Sequence, residues 1–173
     1  CIRDRPYILM HKIAPKKKFG QNFLTDQSVI ERIVSIAGQL ENKSILEIGG
    51  GSGNLTKHLI KAKPKDLIVV EIDKDYVEIL SKILQSSSVK TTLISEDILK
   101  TDIYSYFSEP PVIFGNLPYN ISTKILIKLL TPSNHESKWE KLFLMFQLEV
   151  ANRIVAKPNT KQYGRLSLFS QFY

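Results

Sequence analysis

Residues 114–123 read FGNLPYNIST. An apolar run, Val112, Ile113 and Phe114, stops at Gly115, and Asn116, Leu117, Pro118 and Tyr119 then precede a helical pattern. These residue types suit the exocyclic amine of a nucleobase. Such an amine is a poor nucleophile because its lone pair is delocalised into the ring. Two acceptors placed at its two N–H groups pull them out of the ring plane and restore a lone pair aimed at an electrophile. Asn116 offers a side-chain oxygen and Leu117 a backbone carbonyl. Pro118 fixes the turn, and the Tyr119 ring can stack on a base held out of its helix. Catalysis of this kind is positioning and electrostatics and needs no general base. An isolated Asn-x-Pro-Tyr is also an ordinary turn; its weight comes from what precedes it.

Three earlier features stand in order. EIGGGSG, residues 47–53, follows a short apolar strand pattern. Gly49, Gly51 and Gly53 let the backbone turn tightly and lie close to a ligand, with a helix N-terminus behind it. Glu71 ends a second strand pattern, twenty residues after Gly51, where a carboxylate can accept from a ribose diol. Asp97 ends a third and can accept from an adenine amino group. A plain tight turn and a bland strand-end Glu are the competing readings. Two nucleoside cofactors fit the set. NAD calls for G-x-G-x-x-G, but Asn54 stands at the third glycine position. Glu47 directly before the loop would repel a pyrophosphate and suits a cationic ligand. S-adenosylmethionine has no phosphate and carries a sulfonium and an ammonium, so the residues favour it.

The elements that must position these residues alternate. Residues 26–37 space Val29, Ile30, Ile33, Val34 and Ala37 along one helical face, with Thr25 or Asp26 as N-cap and Gly38 as stop. Strands are predicted at 44–48, 67–73, 90–95, 111–115 and 141–147, and further helices at 55–62, 74–85, 122–130 and 148–156. Strands separated by helices make a doubly wound, Rossmann-like parallel α/β sheet. In such sheets ligands bind at the carboxyl ends of the strands, near the switch in strand order.

Composition limits the classes. The 173 residues are 43% hydrophobic, enough for one domain with a core. No apolar stretch approaches the ~20 residues of a membrane span. Cys1 is the only cysteine, and His11, His58 and His135 are scattered, so neither an internal disulfide nor metal-ligand spacing is present. We expect a soluble, cytoplasmic, metal-free chain. The net charge is +7, with +5 in residues 1–25, +4 in residues 150–173 and −2 between. Basic ends on a near-neutral body suit a polyanion such as nucleic acid, although solvated tails give the same pattern. Lys16, Lys17, Lys18, Lys157, Lys161 and Arg165 are the candidate phosphate contacts.

KKKFGQNFL (16–24), LEIGGGSGNLT (46–56), VEID (70–73), ED (96–97), FGNLPYNIST (114–123), FQLEVANRIVA (146–156) and YGRLS (163–167), in this order, resemble the KsgA-type ribosomal RNA small-subunit adenine N6-dimethyltransferases. The resemblance implies a class I methyltransferase fold and dimethylation of adenines in small-subunit ribosomal RNA, linked to ribosome assembly. It implies that Asn22 and Leu24 pack over the methionine part of the cofactor, that Gly49 and Gly51 form its backbone turn, and that Glu71 holds the ribose and Asp97 the adenine. Asn116 would touch cofactor and target amine. From the residues alone, Phe23 and Leu24 read as a hydrophobic staple, and Glu149 and Arg153 as an i,i+4 pair.

The family usually has proline where Gly50 stands, so a looser turn is expected. It also continues with further strands and a helical RNA-binding domain, so the chain reads as a catalytic-domain fragment: a basic extension over 1–15 and a methyltransferase domain over 16–173, acting as a monomer. Three rivals remain. They are the macrolide-resistance methyltransferases of large-subunit RNA, a DNA or protein amino-methyltransferase, and a non-catalytic assembly factor that retains the cofactor site.

Overall fold

β1 (Ser44–Ile48) is buried at every position, as a strand covered on both faces must be. It lies at the centre of a five-stranded sheet with β2 (Asp66–Val70), β3 (Lys90–Ile94), β4 (Val112–Asn116) and β5 (Lys141–Met145). All neighbours pair in parallel, in the order β3-β2-β1-β4-β5. The chain thus builds outward from β1 to β3, then returns to β1's other side for β4. That reversal is the switch point. The structure, a computed structural model, describes residues 26–131 and 139–172.

Alternation along the strands divides the core in two. Ile45, Leu67, Val69, Val112 and Phe114 face α1 (Gln27–Ala37), α2 (Asn54–Lys61) and α3 (Lys74–Gln85), meeting Ile30, Leu59, Tyr76 and Leu80. Leu46, Ile48, Ile68, Val70 and Ile113 face a 3-10 turn at Ile103–Tyr106 and α4 (Ser122–Leu130), meeting Ile103, Ile125 and Leu129. The other side of α4 joins β5, α5 (Leu148–Ile154) and α6 (Arg165–Phe172) through Leu126, Leu130 and Leu166. The Phe114 and Phe143 rings stack with centroids 5.0 Å apart.

The ends of the elements have local causes. Asp26 is the N-cap of α1, accepting from the N–H groups of Ser28 and Val29. Gly38, at φ 80°, stops it in the left-handed region. β2 ends at Val70 rather than running to 73, because Glu71 accepts from the next two N–H groups and Asp73 caps α3. β5 ends two residues short of the prediction and α5 at Ile154. The unpredicted α6 packs on α5: Ser167, Ser170 and Gln171 donate to the carbonyls of Arg153, Ile154 and Ala156. These are orphan acceptors that a helix C-terminus leaves behind.

Phe114 is fully buried between the layers, whereas Ile36 is 65% exposed. Phe114→Ala should cost about 3–5 kcal/mol in urea unfolding, and Ile36→Ala should stay within about 0.5 kcal/mol. Equal losses would contradict the layer assignment.

Candidate functional site

The register brings the carboxyl ends of three strands level: Ile48 pairs with both Val70 and Gly115. The residues that follow therefore emerge side by side, around a cavity of about 240 Å³. Gly49 and Gly51 adopt φ 76° and 52°, conformations that favour glycine. A Cβ on Gly49 would lie 3.8 Å from the Asn116 carbonyl oxygen, so the β1 turn and the β4 end are in direct apposition. Gly50 departs from the expected looseness. A Cβ there would come within 2.7 Å of Val69 Cγ1 and 2.9 Å of Leu80 Cδ1, so the turn is pressed against the core.

Glu71 is 6% exposed. Its Oε2 accepts from the Gly51 N–H at 2.9 Å, and its Oε1 from Ile72 and Asp73 at 2.8 and 2.9 Å. A carboxylate has about four acceptor positions, so one remains after these three bonds. Asp97 is half-buried; its Oδ1 accepts from Leu99 N–H at 2.9 Å and its carbonyl from Lys100 and Thr101. Glu96 accepts from the Thr101 hydroxyl. Glu47 is 1% exposed, and its Oε2 has no hydrogen-bond partner among the described residues. Burial pushes this carboxyl up to about 7 from its ordinary 4.5, and the charge of Glu71 adds to the effect.

Asn116 ends β4 opposite Met145 and lines the cavity with Pro118. Leu117 is only 4% exposed and packs in the α4-side core. Its side chain is thereby withdrawn from ligand contact and its main chain is anchored. The Pro118 carbonyl accepts from Ile121 N–H and the Tyr119 carbonyl from the Ser122 hydroxyl, which closes the turn into α4. Tyr119 is 36% exposed and is not part of the cavity lining.

Gly49, Gly51, Glu71, Asp97, Asn116 and Pro118 are therefore brought to one cavity. Asn22, Leu24, Lys16, Lys17 and Lys18 lie outside the described residues. Lys157, Lys161 and Arg165 are exposed, along the connection from α5 into α6 and away from the cavity lining. Glu149 and Arg153 form no ion pair; they border a shallow groove with Lys161. Sequence reasoning missed Tyr76, Asn120 and Ile121 in the lining, whose only signal was adjacency to the motifs.

Among the described residues the lining holds four carboxyl groups, those of Glu47, Glu71, Glu96 and Asp97, and no Lys, Arg or His. Such a site repels phosphate and favours a cationic nucleoside. Among the described residues no cluster of His, Cys, Asp and Glu could hold a metal ion, and no helix is long and apolar enough to cross a membrane.

The Glu47 shift sets a pH dependence. Between its ordinary value of 4.5 and about 7, the folded protein holds a proton that the unfolded chain has released. Stability from this group is thus full below that window and falls as pH rises through it. Melting temperature should decline between about pH 4.5 and pH 7, and Glu47→Gln should flatten the decline. Parallel profiles for the two proteins would reject the buried-carboxyl account.

A family model described as ribosomal RNA adenine dimethylase matches residues 12–173. A ribosomal RNA small subunit methyltransferase A from Dinoroseobacter shibae is 40% identical over 168 residues, which is 97% of this chain and 60% of the relative. Its namesake from Pelagibacter ubique is 47% identical over 160 residues, 92% of this chain and 60% of the relative. The chain thus spans about 60% of the length of these curated relatives. The crystal structure of a dimethyladenosine transferase from Plasmodium falciparum superposes with a TM-score of 0.72 at 27% identity, covering 88% of this chain and 53% of that one. That of the 23S rRNA methyltransferase ErmE superposes at 0.68 and 28% identity, covering 86% and 55%. With its glycine turn, strand-end carboxylates and 116–119 turn on a parallel sheet, the chain belongs to the ribosomal RNA adenine dimethylase family.

Proposed function

We propose that this chain, over residues 16–173, carries the S-adenosylmethionine site and the amine-positioning turn of an enzyme that dimethylates N6 of adenines in small-subunit ribosomal RNA. The observation that carries the reading is the cavity at the switch point, where, among the described residues, four carboxyl groups and no Lys, Arg or His stand beside Asn116 and Pro118. The residues fit the cofactor. The turn at 49–51 offers close backbone approach, Glu71 has an acceptor position left after its bonds to described residues for a ribose hydroxyl, and Asp97 Oδ2, which accepts from no described residue, suits an adenine amine. Asn22 and Leu24 are assigned to its methionine part. The bound cofactor supplies an electrophilic methyl group on a sulfonium.

The protein's own part is orientation. Asn116 Oδ1 and the Leu117 carbonyl accept from the two N–H groups of the target amine and turn its lone pair out of conjugation. Burial of the Leu117 side chain, pressed against Gly115, holds that carbonyl in place: a Cβ on Gly115 would lie 2.7 Å from Leu117 Cδ2. Pro118 restricts the turn, and the exposed Tyr119 ring stacks on the flipped base. After one transfer the amine keeps a single N–H, so either acceptor alone can orient it for the second. The proton released at each step leaves to water.

Lys157, Lys161 and Arg165, with Lys16, Lys17 and Lys18, contact RNA phosphates, which supply affinity without sequence choice. The partner is the small-subunit precursor particle, met in the cytoplasm by a monomer. The likeness to ErmE keeps a large-subunit target as the second reading.

Glu71→Ala should weaken cofactor binding by about 1–3 kcal/mol, the scale of a hydrogen bond to a charged group; unchanged affinity in a folded variant would reject the ribose assignment. Labelled methyl transfer to purified small- and large-subunit particles, at two salt concentrations, tests the rest. This chain should be compared with a version extended to its relatives' length. The extended protein should label small-subunit adenines, and this chain should label them weakly, with strong salt dependence. In the extended protein Asn116→Ala should abolish most transfer, Tyr119→Ala should impair it and Tyr119→Phe should be mild. Label on large-subunit RNA, or a Tyr119→Phe loss equal to that of Tyr119→Ala, would overturn the corresponding assignment.

A further inference from the structure

Lys128 lies on α4, nine residues after Tyr119. Its ammonium donates to three main-chain carbonyls across the gap to the 98–101 turn: Ile98 at 2.8 Å, Leu99 at 3.1 Å and Thr101 at 2.7 Å. All three of its protons are used, and it forms no ion pair with a carboxylate within salt-bridge distance among the described residues. Burial lowers its pKa, while the charges of Asp102 and Asp97 oppose the shift. Desolvation of the ammonium has a cost that these three hydrogen bonds offset, so the ammonium and the carbonyls are bound to each other's positions.

That turn is the cavity wall. Glu96, Asp97, Ile98 and Leu99 all line the cavity. Asp97 Oδ1 accepts from Leu99 N–H, and its carbonyl from Lys100 and Thr101, while Thr101 also donates to Glu96. Three N–H groups of the turn, those of Leu99, Lys100 and Thr101, are thus tied to Asp97, and three of its carbonyls to Lys128. The same helix α4 begins directly after the 116–119 turn, so one rigid element touches both halves of the site.

We propose that Lys128 is a positioning residue. By holding the carbonyls of the 98–101 turn from α4, it sets the direction of the Asp97 carboxylate and couples the adenine wall to the amine-binding turn. The inference rests on the reading of Asp97 as the adenine acceptor and extends it to a residue that touches neither cofactor nor RNA.

Calorimetry on this chain tests it, with S-adenosylmethionine and its analogue lacking the 6-amino group of the purine. The proteins are the unaltered chain, Lys128→Met, Lys128→Gln, Asp97→Ala and the Lys128→Met/Asp97→Ala double variant. Lys128→Met should weaken adenosyl cofactor about tenfold and the deaminated analogue far less. It should also speed hydrogen exchange at Leu99, Lys100 and Thr101. In the Asp97→Ala background it should cause no further loss. Lys128→Gln, which keeps two donors, should fall between, and it carries the comparison if the Met variant does not fold. An equal loss for both ligands, or additive losses in the double variant, would overturn the proposal while leaving the Asp97 assignment standing. Unchanged preference for the 6-amino group in Asp97→Ala would overturn that assignment, and the proposal with it.

Discussion

The site depends on one buried carboxylate. Glu71 gathers the N–H groups of Gly51, Ile72 and Asp73, and so ties the β1 turn to the exit of β2. Charge-assisted bonds of this kind are roughly twice as strong as neutral ones, and they operate here almost out of water. The same interaction ends β2 after Val70 and delivers Asp73 to cap α3. α3 in turn presents Leu80 against Gly50 and Ile83 against Gly53. Turn, helix and cavity floor therefore form one unit, and a change at any of them is felt by the others.

Charge is sorted within this unit. The chain carries +7 overall, yet among the described residues the cavity lining holds four carboxyl groups and no Lys, Arg or His. Glu47 lines the cavity with an Oε2 that has no partner among the described residues, a cost that burial imposes. Lys157, Lys161 and Arg165 are exposed along the α5 to α6 connection and are not part of that lining. The proposed cationic cofactor and the proposed RNA phosphates would thus meet different parts of one small domain.

The second half of the site is built differently. The 116–119 turn uses no charge; it is fixed by packing, with Leu117 sunk into the core and α4 starting at once. Ile125 and Leu129 root that helix in the sheet. Its outer face carries Leu126 and Leu130 into a third cluster with β5, α5 and α6. The proposed orientation of a neutral amine requires fixed acceptors more than field, and a packed turn is suited to supply them.

Local pattern alone determined the strand and helix alternation, the glycine turn, and the strand-end places of Glu71, Asp97 and Asn116. Each depends on periodicity or on turn chemistry within a few residues. Register and strand order came only from pairing. They decided that the ends of β1, β2 and β4 lie level and that Gly49 meets the Asn116 carbonyl. Tertiary contact also decided what pattern misjudged. Glu149 and Arg153 stand at helical spacing yet do not pair, because spacing permits an ion pair without enforcing one in water. The helix α6 has apolar residues spread around it and is held by the carbonyls it satisfies on α5. Lys128 was illegible for the same reason: its partners lie about thirty residues earlier in the chain, and only the folded sheet brings α4 against their carbonyls.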